Sequence, residues 1–221
     1  MTKATYDKSI HRFLLVRDGF YSDPDRVRRI ALSMKYAEHD DATGYMTGEV
    51  YHERGIRNRL EKILGIRITR WDTDPEEGNG IFYGGFASGA NKEVPGVHYD
   101  FPIDDITVVV YLTEGIPFGY GTSLWQHKST GLLSAPLRAD AYRLKKKLSK
   151  LRDRLDADAT KRDRWIEVDR VGYRYNRLVA YPSAVLHSAT RHFGSSVEGG
   201  RIYQTFRIGV DWRSFRVRKW R

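Results

Sequence analysis

The sequence contains no cysteine. That excludes a disulfide framework, a Cys-ligated zinc or iron–sulfur site and a thiol nucleophile, and it leaves histidine and carboxylate side chains as the candidate metal ligands. Long hydrophobic runs are missing too: a stretch such as Thr107–Leu112 falls far short of the roughly 20 residues needed to cross a bilayer. The opening residues, MTKATYDKSIHRFLLV, have no apolar segment ahead of a small-residue cleavage site, so a soluble cytoplasmic protein is expected. No internal repeat, linker or low-complexity tract interrupts the chain. Its 221 residues, 40% hydrophobic and 13% aromatic, suffice for a single domain spanning 1–221 with a full core.

The formal charge of +10 invites a nucleic-acid reading, but most of the chain lacks net charge. Residues 138–164 hold 11 Lys and Arg against 5 Asp and Glu, and residues 213–221 hold 5 basic residues and no acid. The rest is close to neutral. In the internal segment, Leu144, Leu148, Leu151 and Leu155 form one apolar stripe at helical spacing, with Lys145, Lys146, Lys147, Lys150, Arg152 and Arg154 on the other faces. This predicts a helical insertion at about 132–170, either a solvated face or a platform for an acidic partner such as a carrier protein or nucleic acid. In the basic tail, 213–221, Phe215 and Trp220 join Trp212 among the cations. They could stack on bases or dock on the core.

Residues 11–20 read as an apolar edge strand. Ser22-Asp23-Pro24 then supplies a cap and a first-turn proline, with Val27, Ile30, Ala31 and Met34 on one face, which predicts a helix over about 23–36. Gly55–Leu64 predicts a second helix, closed by Gly65. Beyond it the pattern turns strand-like: Ile66–Trp71, Ile81–Phe86, Ile106–Thr113, Ser123–His127, Arg174–Tyr181 and Ile202–Val210 are rich in Val, Ile, Tyr and Phe and separated by turn residues. The expected fold is α+β, an antiparallel barrel or sandwich with helices at its front.

Seven histidines are present. One opens His98-Tyr99-Asp100, and residues i and i+2 of an extended chain share a face, so both side chains can reach one ion. Tyr181-Pro182-Ser183-Ala184-Val185-Leu186-His187 brings a second histidine from far downstream. Two histidines and one carboxylate make a facial triad, the ligand set of non-haem iron(II) oxygenases. His-x-Asp alone is a weak signal. The order of features around it carries more weight.

That order resembles the iron(II)- and 2-oxoglutarate-dependent oxygenases, whose core is a double-stranded β-helix, or jelly-roll. Asp100 is followed by the strand Val108–Glu114, a glycine-containing turn, and Gly121-Thr122-Ser123-Leu124-Trp125. Phe82-Tyr83-Gly84-Gly85 lies upstream, Arg177–Ser183 leads to His187, and Arg201 follows in Gly200-Arg201-Ile202-Tyr203-Gln204. The resemblance spans roughly residues 11–212, with a helical N-terminal part as in a bacterial branch of the family. It implies Fe(II) held by His98, Asp100 and His187, with 2-oxoglutarate as cosubstrate and O2 as oxidant. Arg201 would grip the far carboxylate of 2-oxoglutarate, a task suited to a planar guanidinium. It further implies hydroxylation of a small molecule (an amino acid, peptide or related metabolite) with release of succinate and CO2. The carboxylate at Asp100 favours hydroxylation over halogenation, because related halogenases lack it.

Alternatives stand beside several of these residues. His192 competes with His187 as distal ligand, and Arg207 with Arg201. Tyr83 is either a cosubstrate contact or a core tyrosine, and Gln204 faces either the pocket or the other layer. His127 ends a strand and reads as a surface residue. The glycine-rich stretch Gly84–Val97 is a lid candidate or a plain connector. Two other functions remain open: an oxygenase acting on nucleic acid, and a non-catalytic jelly-roll binding protein.

Overall fold

The computed structural model describes residues 13–39 and 42–215. Its N-terminal portion runs β1 (Leu15–Asp18), α1 (Pro24–Ser33), β2 (Tyr36–His39), β3 (Ala42–Thr47), α2 (Ile56–Leu64) and β4 (Arg67–Arg70). Then come β5 (Ile81–Gly85), β6 (Ile106–Tyr111), β7 (Thr122–His127), α3 (Arg138–Arg143), α4 (Leu148–Asp158) and β8 (Trp165–Val171), followed by β9 (Arg177–Pro182), β10 (His187–Ala189) and β11 (Arg201–Asp211). Local signals account for the helix ends. The Asp23 carboxylate accepts from the Arg26 N–H at 2.9 Å ahead of Pro24, capping α1. Gly65 ends α2 with φ 68°, a left-handed geometry that a side chain resists.

Two antiparallel sheets carry the architecture. The larger has the order β1-β9-β6-β11-β5-β3-β2, with β4 added against β11; the smaller is β10-β7-β8. All six residues of β6 are buried, because both faces of the large sheet are covered. On one face Val108, Val110, Leu178, Ala180, Ile202 and Phe206 pack with Val27 and Ala31 of α1 and Leu60 and Leu64 of α2. On the other, Val109, Tyr111, Val179 and Tyr181 pack with Val171 of the small sheet, and the Tyr111 hydroxyl bonds Thr122 Oγ1 across the layers at 2.6 Å. Fully burying a side chain of this size contributes about 1.5–3 kcal/mol, so the first layer holds the helices on the large sheet and the second holds the two sheets together. The result is a mixed α/β fold, mostly antiparallel, with a jelly-roll-like core.

Several expectations need correction. The N-terminal part is not a helical layer: α1 and α2 alternate with β1 to β4, and α1 stops at Ser33 because Tyr36 already belongs to a strand. The expected insertion is helical only in α3 and α4; Trp165–Val171 is strand β8, paired with β7 from Thr122↔Val171 to His127↔Trp165. The leucine stripe is also split. Lys145 takes φ 50° between the two helices, which leaves Leu151 and Leu155 as the buried leucines of α4. His127, read as a surface residue, is fully buried: its Nε2 lies 3.2 Å from Asp158 Oδ2 and its Nδ1 2.9 Å from Thr130 Oγ1. That pair ties α4 to β7. Trp212 and Phe215 of the tail pack on the core beside Phe13; Trp220 and His11 lie outside the described residues. Among the described residues, no helix is long and apolar enough to cross a membrane.

Candidate functional site

His98 and His187 meet as partners of an isolated antiparallel bridge. The His98 N–H donates to His187 O at 3.0 Å, and the His187 N–H donates to His98 O at 2.8 Å. This backbone pairing sets the two rings 4.4 Å apart, although 89 positions separate them in the chain. Asp100 is fixed from the same segment, its N–H bonded to Ser183 O at 2.8 Å. One atom from each of His98, Asp100 and His187 lies within 4.8 Å of the others, a group that could hold a metal ion. The two histidines and the aspartate are thus collected by three backbone hydrogen bonds.

The tautomers suit that task. His98 Nδ1 lies 3.0 Å from Gly96 O, and His187 Nδ1 2.8 Å from Val185 O. A carbonyl can only accept, so each Nδ1 carries a proton and Nε2 is the ring nitrogen left to face a metal. Those Nε2 atoms are the ones nearest Asp100, at 3.7 Å and 3.5 Å. Burial lowers the pKa of His187 to about 4 against the pull of Asp100, so the ring is neutral at neutral pH. Burial alone would raise Asp100, yet His187, Arg207 and His98, with the hydrogen bond from Thr107, bring its pKa down to about 2. An ionised Asp100 carboxylate beside the neutral His187 ring is the form that binds metal. Thr107 Oγ1 donates to Asp100 Oδ2 at 2.7 Å and contacts Ser183 Oγ at 2.8 Å, which orients the carboxylate from behind.

The group opens into a cavity of about 350 Å³. Strand β11 contributes Arg201, Tyr203, Thr205 and Arg207 to its wall; Tyr83 of β5, Thr122 of β7 and Tyr181 of β9 also line it. Arg207 Nη2 reaches Asp100 Oδ1 at 3.4 Å, so its charge is already committed next to the metal group. Arg201 is different. It is 2% exposed, its Nη1 donates to the carbonyls of Tyr120 and Gly121, and the rings of Tyr111, Tyr173 and Tyr203 lie 5.0–5.6 Å from its guanidinium carbon. No carboxylate pairs with it among the described residues, and its Nε has no hydrogen-bond partner. A buried, unneutralised guanidinium is a ready seat for an anion.

The other expected residues divide. Tyr83 lines the cavity and stacks on Tyr203, its register partner, with centroids 5.4 Å apart; burial pushes its hydroxyl up, leaving a neutral donor. Gln204 does not join them. It points to the helix side, where its amide donates to Tyr51 O at 2.7 Å and Gly80 O at 3.0 Å and its Oε1 accepts from the Tyr21 hydroxyl. His192 lines the cavity but stands outside the metal-capable group. Sequence reasoning missed Thr107, Thr205 and Tyr203 as cavity residues. The two on β11 were within reach of simple alternation from Arg201, whereas Thr107 had no signal of its own.

A family model described as a family of unknown function, DUF6445, matches residues 94–201, a span that contains His98, Asp100, His187 and Arg201. No curated protein sequence matches the chain. Eleven solved chains resemble it in structure. One of them is HygX from Streptomyces hygroscopicus, solved with nickel and 2-oxoglutarate bound; it is 12% identical with a TM-score of 0.52, over 91% of this chain and 84% of that one. The likeness establishes a related fold.

Proposed function

We propose that this protein is a non-haem Fe(II)- and 2-oxoglutarate-dependent oxygenase that hydroxylates a small molecule. The observation that carries the reading is the pairing, in one cavity, of a His-Asp-His group with a buried arginine that no carboxylate of the described residues neutralises. The fold shared with HygX, whose structure holds nickel and 2-oxoglutarate, supports it. The donor set fits the metal: two imidazole nitrogens and one ionised carboxylate, with acid and ring orientation held from behind. Bound iron(II) with 2-oxoglutarate supplies oxidising power from O2, releasing succinate and CO2.

The chain's own residues have distinct parts. The Nε2 atoms of His98 and His187 and the carboxylate of Asp100 would hold the ion. Arg201 would pair with the distal carboxylate of 2-oxoglutarate, held flat by the three tyrosine rings. Arg207 keeps Asp100 ionised and in place. The hydroxyls of Tyr83 and Thr205 are available donors along the wall, and Val109 with the aromatic rings limits water entry. A cavity of about 350 Å³ suits a metabolite-sized substrate. In the basic segment, Lys150, Arg154 and Lys161 face Asp153 and Asp158.

The test is anaerobic addition of Fe(II) and 2-oxoglutarate, read as the weak visible charge-transfer band of the chelate. The band is expected in the wild type and absent in the His98→Ala, Asp100→Ala double variant. A band that survives in the double variant, or none in the wild type, would sink the assignment.

A further inference from the structure

His192 is the cavity histidine that the metal-capable group leaves over. Its side chain is 5% exposed, it lines the cavity, and neither ring nitrogen has a hydrogen-bond partner. A buried polar atom left without a partner costs about 1–3 kcal/mol, so its presence there asks for a reason. The seat for the ring is built into the sheet. Gly85 ends β5, and a Cβ at that position would lie 2.3 Å from His192 Nδ1; the ring therefore rests on bare backbone.

Glu93 faces His192. Its Oε2 lies 3.4 Å from His192 Nε2, without the alignment of a hydrogen bond. Backbone pairing holds the two together: the Glu93 N–H donates to Phe86 O at 3.0 Å, and the Ala87 and Ser88 N–H groups donate to Gly194 O, two residues beyond His192. Two acidic side chains line the cavity, Asp100 and Glu93. Asp100 is engaged by the histidines, Thr107 and Arg207, which leaves Glu93 to meet a ligand.

Resting on the oxygenase reading, we propose that Glu93 and His192 form a subsite for a protonated amine on the primary substrate, so that the substrate class is amine-bearing small molecules. An ammonium has three N–H donors and no acceptor. One donor suits the Glu93 carboxylate, with charge assistance, and another suits Nε2 of His192, the unpartnered ring nitrogen beside Glu93. An alcohol brings one donor and leaves an acceptor unpaired. A carboxylate would meet the like charge of Glu93. Arg201 and Glu93 then sort ligands by sign within a single cavity, the cosubstrate carboxylate to one and the substrate amine to the other.

The experiment uses the full-length protein loaded with Ni(II) and 2-oxoglutarate, which binds without turnover. Isothermal titration calorimetry compares matched probes, benzylamine with benzyl alcohol and pentylamine with pentanol. The amines are expected to bind at least tenfold more tightly than their alcohols. Glu93→Gln should abolish that preference, Glu93→Asp should retain part of it, and His192→Leu should weaken amine binding several-fold. Thermal denaturation of each variant shows that it folds. Equal binding of amine and alcohol, no binding of either amine, or a preference that persists in Glu93→Gln overturns the proposal. Failure of the wild type to take up Ni(II) and 2-oxoglutarate instead overturns the oxygenase reading on which it rests.

Discussion

Strand β11 has two faces that share one backbone and have opposite chemistry. Ile202, Phe206 and Ile208 lie in the large apolar core beneath α1 and α2, and the one polar residue among them, Gln204, spends its hydrogen-bonding groups on Tyr21, Tyr51 and Gly80. The residues between them, Arg201, Tyr203, Thr205 and Arg207, line the cavity, and the Nε atoms of both arginines and Thr205 Oγ1 lack hydrogen-bond partners. One face is satisfied and closed; the other keeps polar capacity in reserve. A strand built this way separates stability from ligand binding residue by residue. Mutations should therefore divide cleanly by parity.

The largest effect is expected next to the cavity face, at the metal-capable group itself. Replacing His187 or Asp100 with Ala should abolish the Fe(II)–2-oxoglutarate band and succinate release, because two ligands and a cavity do not hold the ion. On β11, Arg201→Ala should raise the 2-oxoglutarate concentration for half-saturation by about a hundredfold, the order expected when a desolvated charged pair is broken. Arg207→Ala should act mainly through metal affinity. If Arg207→Ala instead produced the larger rise for 2-oxoglutarate, the anchoring role would move to Arg207, about 20 Å along the strand at 3.3 Å per residue.

The opposite face should answer in stability. Phe206→Ala ought to cost about 3–5 kcal/mol in urea unfolding, with 2-oxoglutarate affinity little changed in the folded fraction. Thr205→Val, on the cavity face, should leave stability nearly unchanged, since it removes a hydroxyl that has no partner. The reverse pattern would break the division between the faces.

The metal-free site also leaves a pH signature. The folded-state pKa of His187 is about 4, below the ordinary value near 6.5. Its contribution is therefore fully present above pH 6.5 and is lost as pH falls from there toward 4, because the unfolded chain takes up the proton first. At about 1.4 kcal/mol per pH unit, the loss amounts to at most on the order of 3 kcal/mol. Chemical denaturation at pH 7 and pH 4.5 measures it, and His187→Gln should flatten the slope. Asp100, lowered to about 2, adds its loss only below pH 3.8. The smallest effect belongs to the exposed Lys150–Asp153 pair of α4: Lys150→Ala should shift stability by about 0.5 kcal/mol or less.

Much of the site was legible in the chain. His98-Tyr99-Asp100, the distal His187 and Arg201 were each marked by local order, and all of them line the cavity. Gln204 was left between the pocket and the other layer, and the sequence already contained the reason it takes the second. It stands three residues from Arg201 on a continuous strand, and an odd separation puts two residues on opposite faces. The burial of His127 was not legible, because its partner Asp158 comes from α4, 31 positions away. Strand β8 was hidden inside a highly charged stretch, where Ile166 and Val168 remain exposed and pairing with β7 decides the conformation.

The sequence by itself determined the absence of thiol chemistry, the strands β1, β4, β5, β6, β9 and β11 of the large sheet and the short-range His-x-Asp step, since these depend on composition and on alternation over a few residues. Tertiary structure alone decided which histidine completes the metal-capable group, which arginine remains without a counter-charge, and that Glu93 faces His192. Those outcomes depend on backbone pairing between segments some 90 to 100 residues apart, and no local propensity encodes which carbonyl a distant N–H will find.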